Sequence, residues 1–188
     1  MHPLMLVAAA GTPPAFYYSQ RERLVSDALR DLLLLKPHAA NERSAPGSIP
    51  KLLHQTTQLN RSCIPDQLGA FATGYRRVVE DDDEARAFVA GAFTPPVLLA
   101  YDRLEGPHRA DLYRYCKLFV EGGVYLDIKT VPRRHLDEIF GVGEDGRPVL
   151  YLVLYGNTVH NGVIASSPRN PLFLRLVASI VDSSPPRR

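Results

Sequence analysis

The sequence predicts an α/β domain, in which helices cover the faces of a β-sheet. Two observations favour this fold class. Short apolar segments typical of strands alternate along the chain with longer segments whose apolar residues recur at helical spacing. Near the middle, a helical segment, a Gly-Gly pair and a short apolar segment follow one another over residues 107–128. A length of 188 residues allows one domain, with at most one added segment.

The composition is that of an ordinary soluble globular protein, with 45% apolar and 22% charged residues. It excludes a chain that is disordered throughout, a disulfide scaffold and a collagen. The net charge of +2 is too balanced to indicate a nucleic-acid partner. No run reaches the roughly 18 apolar residues that a membrane span requires, so we expect no transmembrane segment in this chain. Lysine is rare and tryptophan is absent.

Residues 1–48 are predicted to form an N-terminal helical appendage and linker. A short apolar leader, a weak signal-peptide candidate, precedes a helix over residues 19–36, in which Ser19 and Glu22 have the spacing of a capping box. Residues 37–48 hold Pro, Gly, Asn and Ser, as loops do. We expect the helix to pack on the main domain; the alternative is that it docks a partner or a membrane surface.

The main domain is predicted over residues 49–188. Strands are expected at 49–55 and 75–79, with a short helix between them at 65–71. The acidic run from Asp81 to Glu84 has the composition of a metal site. However, acidic residues also stabilise the first turn of a helix, where the helix dipole favours anions. We therefore expect this run to cap a helix at 85–93.

A longer helix is predicted at 107–121, and it is ended by Gly122-Gly123, which allow the left-handed backbone of a helix C-terminus. Strands follow at 124–128, 149–155 and 161–166, and then a helix at 170–181. Cys63 and Cys116 lack metal-ligand spacing. They are expected to be buried thiols, although the sequence also allows a disulfide.

Three polar residues in the middle of the chain indicate a binding site. Asp111 and Arg114 are three positions apart on one helix and therefore share a face. Asp127 comes at the end of the next strand, and ligands of open α/β sheets bind at the carboxyl ends of strands. Carboxylates accept hydrogen bonds from sugar hydroxyls, and arginine donates to hydroxyl or phosphate oxygens. The alternative is a surface ion pair, with Asp127 capping a turn.

The motifs around these residues resemble those of glycosyltransferase family 32, the glycosyltransferases with a DXD sugar-binding motif. That family includes initiating mannosyltransferases and capsular-polysaccharide transferases, and it is distantly similar to the catalytic domains of glucosylating toxins. The matching segments are IPKLLHQT at 49–56, RADLYRY at 109–115, GGVYLD at 122–127 and, more weakly, NGVIAS at 161–166.

The resemblance implies a GT-A-like nucleotide-sugar-binding fold, in which a mixed sheet is flanked by helices. It also implies transfer of a hexose from a nucleotide sugar to a glycan or other hydroxyl acceptor, with retention of configuration. Asp111 and Arg114, with the neighbouring Arg109, would bind the donor. Asp127 would be the first Asp of the DXD motif, near the ribose and the metal, and it is the candidate metal ligand.

The outer segments of the resemblance imply further contacts. His54, Gln55 and Thr56 would lie beside the nucleotide at the end of the first strand. Asn161 and Gly162 would border the acceptor.

The chain departs from the family in three places. Lys129 stands where the DXD motif has its second Asp, the direct metal ligand. An ammonium group cannot coordinate Mn²⁺ or Mg²⁺, but it can supply positive charge to the leaving diphosphate. The alternatives are that Lys129 faces solvent while other groups bind a metal, or that the protein is inactive. Thr57 replaces a base-stacking Trp. Family members usually continue past the last segment, so a C-terminally truncated domain is expected.

We therefore predict a hexosyltransferase with Asp127 and Lys129 as its catalytic residues. The predicted partners are a nucleotide sugar and a glycan acceptor, without nucleic acid. The main alternative is a catalytically inactive protein that binds a sugar nucleotide or glycan, and a weaker one is a partner-binding module at residues 19–36. Relatives are found in the Golgi lumen or in the bacterial cytoplasm, and the sequence does not choose between these locations.

Overall fold

The computed structural model describes residues 5–10, 34–36, 48–58, 64, 66–140, 149–155 and 158–184. Six strands form one sheet: β1 (Met5–Ala10), β2 (Leu52–Thr56), β3 (Arg76–Glu80), β4 (Gly123–Leu126), β5 (Val149–Tyr155) and β6 (Thr158–Ser166). The described helices are α1 (Asp82–Ala92), α2 (Pro95–Arg103), α3 (Gly106–Glu121), α4 (Leu136–Ile139) and α5 (Pro171–Ser183), with a 3₁₀ helix at Gly69–Ala72. Within the described residues, no helix has the length and apolarity that a membrane crossing requires.

The sheet is mixed, and its strand order is β1-β5-β6-β4-β2-β3. Strands β3, β2 and β4 run parallel to one another. Strand β6 is antiparallel to β4 and forms a hairpin with β5, which pairs antiparallel with β1. The three parallel strands end at Thr56, Glu80 and Leu126. Their carboxyl ends therefore lie side by side, at the same end of the sheet. The predicted α/β class with a mixed, helix-flanked sheet is confirmed.

Apolar side chains pack on both faces of the sheet. On one face, residues of α1, α2, α3 and α5 form the larger core together with Tyr125 of β4. On the other face, Val124 and Leu126 of the same strand pack with Leu136 and Phe140. This alternation follows from the two-residue period of a strand, and it places Tyr125 on the same side of the sheet as α3.

Two predicted features of the helices are confirmed. Asp81 caps α1: its carboxylate accepts from the backbone N–H groups of Asp83 and Glu84, and the Glu84 side chain accepts from the backbone N–H of Asp81. The acidic run is therefore a helix start. Helix α3 ends at Gly122, whose φ is +65°.

The Gly-Gly pair also holds the sheet and α3 close together. A Cβ on Gly122 would lie 2.6 Å from the backbone nitrogen of Pro168, and one on Gly123 would lie 2.6 Å from the carbonyl oxygen of Leu52. Any side chain at either position would therefore force the backbone apart. Since β4 starts at Gly123, this close fit fixes how α3 leads into β4 and thus where the carboxyl end of β4 lies.

The structure differs from the predictions at several elements. Residues 5–10, predicted as a leader, form the strand β1. Helix α2 was not predicted. It begins at Pro95-Pro96, where proline is well tolerated because the first N–H groups of a helix have no hydrogen-bond partner within the helix. The predicted helix at 65–71 is a 3₁₀ turn at Gly69–Ala72. Most of the predicted helix at 19–36, its linker and Cys63 lie outside the described residues. Cys116 is a buried free thiol.

Candidate functional site

Arg114 lies at the centre of the candidate site. It projects from α3, and its side chain is 6% exposed. Its Nη2 atom lies 3.2 Å from Asp111 Oδ1 and 3.4 Å from Asp127 Oδ1. Asp127 directly follows β4, at the carboxyl end of the parallel strands. The three residues that the sequence singled out are therefore in contact, and one cation holds two partly exposed carboxylates.

The ring of Tyr125 packs against this group. The Arg114 guanidinium carbon lies 4.5 Å from the centroid of its ring, which is a cation–π contact. The Tyr125 hydroxyl lies 3.1 Å from Thr56 Oγ1 and also hydrogen-bonds Asp127. Burial raises the pKa of Tyr125. Tyr125 was not among the site residues predicted from the sequence, although the two-residue strand period places it on the same face as Asp127.

An irregularity in β6 completes the group. Leu152 of β5 pairs with Ile164, but Val153 pairs with His160, so three residues of β6 are accommodated between neighbouring positions of β5. This bulge contains Asn161 and Gly162. Bulges bend a strand and redirect its side chains, and here the bulge brings both residues to the carboxyl end of β4.

Asn161 and Gly162 then contact all three central residues. Asn161 Nδ2 donates to Asp111 Oδ1 over 2.9 Å, and the Arg114 guanidinium donates to the Asn161 carbonyl oxygen. The backbone N–H of Asp127 donates to the Gly162 carbonyl oxygen over 2.8 Å. Burial raises the pKa of Asp111, and the positive charge of Arg114 opposes this effect.

Gly162 leaves the space that the Asp127 carboxylate occupies. A Cβ at Gly162 would lie 2.3 Å from Asp127 Oδ2. That separation is well inside van der Waals contact, so the carboxylate can hold its position only because residue 162 is glycine.

We expect Gly162→Ala to lower activity by about 100-fold, because the displaced Asp127 carboxylate would no longer meet the ligand at the right distance. The matched control is Gly91→Ala in α1, where a Cβ would meet nothing within 4 Å. This control should keep full activity and gain about 1 kcal/mol from helix propensity. Turnover and thermal unfolding of both variants check the prediction, and equal activities would contradict it.

The HQT segment lies mostly inside the protein. His54 and Gln55 are fully buried. His54 Nε2 lies 2.9 Å from the Gly122 carbonyl oxygen, and Gln55 Oε1 accepts from Arg77 Nε over 2.8 Å. Of the three predicted nucleotide-side residues, Thr56 is the one whose side chain reaches the site, through Tyr125. The described contacts of His54 and Gln55 position the strand and its turn.

Burial lowers the pKa of His54 to about 4, from an ordinary value of 6.5. The folded protein therefore binds fewer protons than the unfolded chain between these pH values, and the stability contributed by neutral His54 is lost as pH falls from 6.5 towards 4. The loss should be about 3 kcal/mol. Between pH 7 and pH 4, the free energy of urea unfolding should therefore fall by about 3 kcal/mol less in His54→Gln than in the wild-type protein. His135→Gln, at a partly exposed histidine, is the control, and identical profiles for the two variants would refute the prediction.

The remaining predicted residues lie at the margins of the group. Arg109 Nε donates to the Leu104 carbonyl oxygen over 3.0 Å, and its guanidinium lies 5.6 Å from the Tyr101 ring. Its Nη1 atom lies 3.7 Å from Asp82 Oδ2, so its described contacts join α3 to α2 and to the start of α1. Lys129 is exposed in a turn that the Thr130 N–H closes on the Asp127 carbonyl oxygen.

The donor set of the described residues fits a divalent cation poorly. No group of three or more His, Cys, Asp or Glu side chains with suitable spacing occurs in the described part of the chain. Asp111 and Asp127 both contact the Arg114 guanidinium, and an exposed ammonium, that of Lys129, follows Asp127. We therefore derive no step through a metal ion.

Comparison with known proteins shows a family similarity for part of the chain. Residues 60–142 match the profile of the glycosyltransferase sugar-binding region containing the DXD motif. This region contains Asp111, Arg114 and Asp127. No solved structure matches the chain.

Curated relatives extend the similarity to both sides of that region. An uncharacterized glycosyltransferase of Acanthamoeba polyphaga mimivirus is 31% identical over 133 residues, which are 66% of this chain and 53% of the relative. A mannosyl phosphorylinositol ceramide synthase of Saccharomyces cerevisiae is 31% identical over 82% of this chain and 42% of the relative. An initiation-specific alpha-1,6-mannosyltransferase of Schizosaccharomyces pombe is 28% identical over 58% of this chain and 33% of the relative. The chain thus spans about half of these relatives or less.

Proposed function

We propose, from the match of residues 60–142 to the sugar-binding region of the DXD-motif glycosyltransferases, that the chain transfers a hexose from a nucleotide sugar to a hydroxyl acceptor. In such a transfer the bond from the sugar C1 to the diphosphate breaks, and a bond from C1 to the acceptor oxygen forms. The nucleoside diphosphate leaves with the electron pair of the broken bond, and one of its phosphate oxygens accepts the proton of the acceptor hydroxyl. The names of two relatives favour mannose as the hexose.

One observation carries the proposal: Arg114 holds Asp111 and Asp127 together at the carboxyl end of the parallel strands. Sugar hydroxyls need acceptors and donors side by side, and carboxylates paired with a guanidinium supply both. Because the cation is shared, the carboxylates are held in place before a ligand arrives. Such preorganisation reduces the ordering that binding requires.

We place the nucleotide on the side of Thr56 and the sugar on the side of Asp111. The Tyr125 hydroxyl bridges these two sides through Thr56 and Asp127. We further propose transfer with retention of configuration, which the family resemblance implies. The anomer of the product, determined by NMR, tests this point.

Lys129 is proposed to supply positive charge to the leaving diphosphate, in the role that a metal has when the second position of the motif is Asp. It is exposed, it lies two residues after Asp127, and its turn closes on Asp127. An ammonium ion there would stabilise charge that develops on the departing phosphate oxygens.

We expect turnover to survive EDTA and to fall at least about 100-fold in Lys129→Ala. Lys51→Ala is the matched control, because Lys51 is an exposed lysine that precedes β2, at the opposite edge of the sheet. Nucleoside diphosphate release from a panel of nucleotide sugars, including a mannose donor, measures both effects. Turnover abolished by EDTA and restored by Mn²⁺ would disprove the metal-free role.

The second candidate function is a binding protein without catalysis, and Lys129 in place of an acidic motif residue is the observation that favours it. The same panel separates the two functions. Calorimetric binding of a nucleotide sugar that never releases its diphosphate, with or without Mn²⁺, would support the binding protein. Release that depends on Arg114 would support the transferase.

A further inference from the structure

A cavity of about 350 Å³ opens beside the site, between the start of α3 and the end of α5. Asp111 and His108 are among the residues that line it. Asp111 also belongs to the group around Arg114. A molecule in this cavity would therefore lie directly next to a sugar held by that group.

One carboxylate oxygen of Asp111 is available to accept a further hydrogen bond. Its Oδ1 atom receives the hydrogen bond from Asn161 Nδ2 and the contact from Arg114 Nη2. Within the described part of the chain, Oδ2 makes no hydrogen bond. A hydroxyl group in the cavity could donate to this oxygen, which gives the cavity a specific polar end.

The rest of the cavity wall is mainly apolar. Its apolar members are partly buried and pack against the larger core: Leu104, Tyr115, Leu176 and Ile180. The serines of the wall add little polarity, because Ser183 and Ser184 already donate their hydroxyl hydrogens to backbone carbonyls within α5. Small-molecule sites have this character, with apolar walls and a few polar groups that fix orientation.

We propose that this cavity is the acceptor subsite and that it selects acceptors with an apolar group attached next to the sugar or alcohol that reacts. The proposal rests on the function proposed above. The acceptor hydroxyl lies at Asp111 Oδ2, facing the donor sugar, and the apolar group lies against Leu176 and Ile180. The cavity thus provides a substrate class for the acceptor, which the motifs of the donor site do not specify.

The test compares methyl α-mannoside with hexyl α-mannoside, both as ligands in calorimetry and as acceptors in transfer. Burial of two methylene groups alone should favour the hexyl compound by about ten-fold in Kd and KM. Ile180→Trp, which fills the cavity, should remove this preference. Leu172→Trp is the matched control, because Leu172 lies on the same helix, is 38% exposed and does not line the cavity.

Each outcome decides the proposal. Equal affinity for both mannosides in the wild-type protein overturns it, as does a preference that Ile180→Trp leaves intact. Should Ile180→Trp fail to fold, Leu176→Gln makes the same test by placing a polar group on the apolar wall. Diphosphate release without an acceptor reports on the donor site alone. Release that stays normal while the hexyl preference is absent would therefore overturn the acceptor subsite and leave the proposed transferase standing.

Discussion

Replacing Arg114 with methionine should lower sugar transfer by at least about 1,000-fold, the largest effect that we expect from a single side chain. The change removes the cation that Asp111 and Asp127 share, and it leaves two carboxylates facing each other. Arg114→Lys should lose nearly as much, because an ammonium group lacks the planar fork that contacts two carboxylates and an aromatic ring at once. Single-turnover rates with a nucleotide sugar measure the loss.

Arg86→Met is the matched control for this prediction. Arg86 donates to Asp102 through Nε and Nη2 over 2.7 and 2.8 Å, but it is half exposed and lies on α1, outside the site. We expect its loss to change stability little, as for most surface ion pairs, and to leave turnover unchanged. If Arg114→Lys retained half of the wild-type rate, the bridging role of the guanidinium would be wrong.

Replacing Lys117 with methionine should destabilise the fold by about 3–5 kcal/mol, the largest stability loss that we expect. The Lys117 side chain is 5% exposed; its Nζ atom lies 2.7 Å from Glu121 Oε1 and 3.3 Å from Glu80 Oε2. It also lies 4.1 Å from the centroid of the Phe88 ring. Without Lys117, two largely buried carboxylates would lose the cation that they share.

Lys51→Met separates this effect from the ordinary loss of an ion pair. Lys51 Nζ lies 2.7 Å from Asp137 Oδ2, as close as the tightest contact of Lys117, but its side chain is 54% exposed. Surface pairs contribute less than about 1 kcal/mol. Urea unfolding of both variants makes the comparison, and similar losses would show that burial is not the decisive factor.

Local sequence patterns predicted the centre of the site. The three-residue spacing of Asp111 and Arg114 and the continuous helix, Gly-Gly turn and strand leading to Asp127 lie within one short segment. Within such a short segment, the relative positions of the side chains follow from the regular backbone geometry of the helix, the turn and the strand. The structure accordingly brings these three residues together at the predicted edge of the sheet.

Contacts between residues that are far apart in the sequence could not be predicted from local patterns. The bulge that delivers Asn161 and Gly162 depends on the register between β5 and β6, which periodicity does not reveal. Lys117 lies on α3, but its role depends on Glu80, which ends β3 and is far away in the sequence. Residues 5–10 end in three alanines, which do not favour a strand, and they form a strand by pairing with β5.

The bulge in β6 also determines when the site can form during translation. Arg114 and Asp127 leave the ribosome early, but their partners Asn161 and Gly162 follow only after β5 has been made. At typical elongation speeds of about 5–20 residues per second, the nascent chain spends several seconds without these hydrogen-bond partners. Binding competence should therefore appear abruptly, once β6 joins β4, rather than growing with the length of the chain.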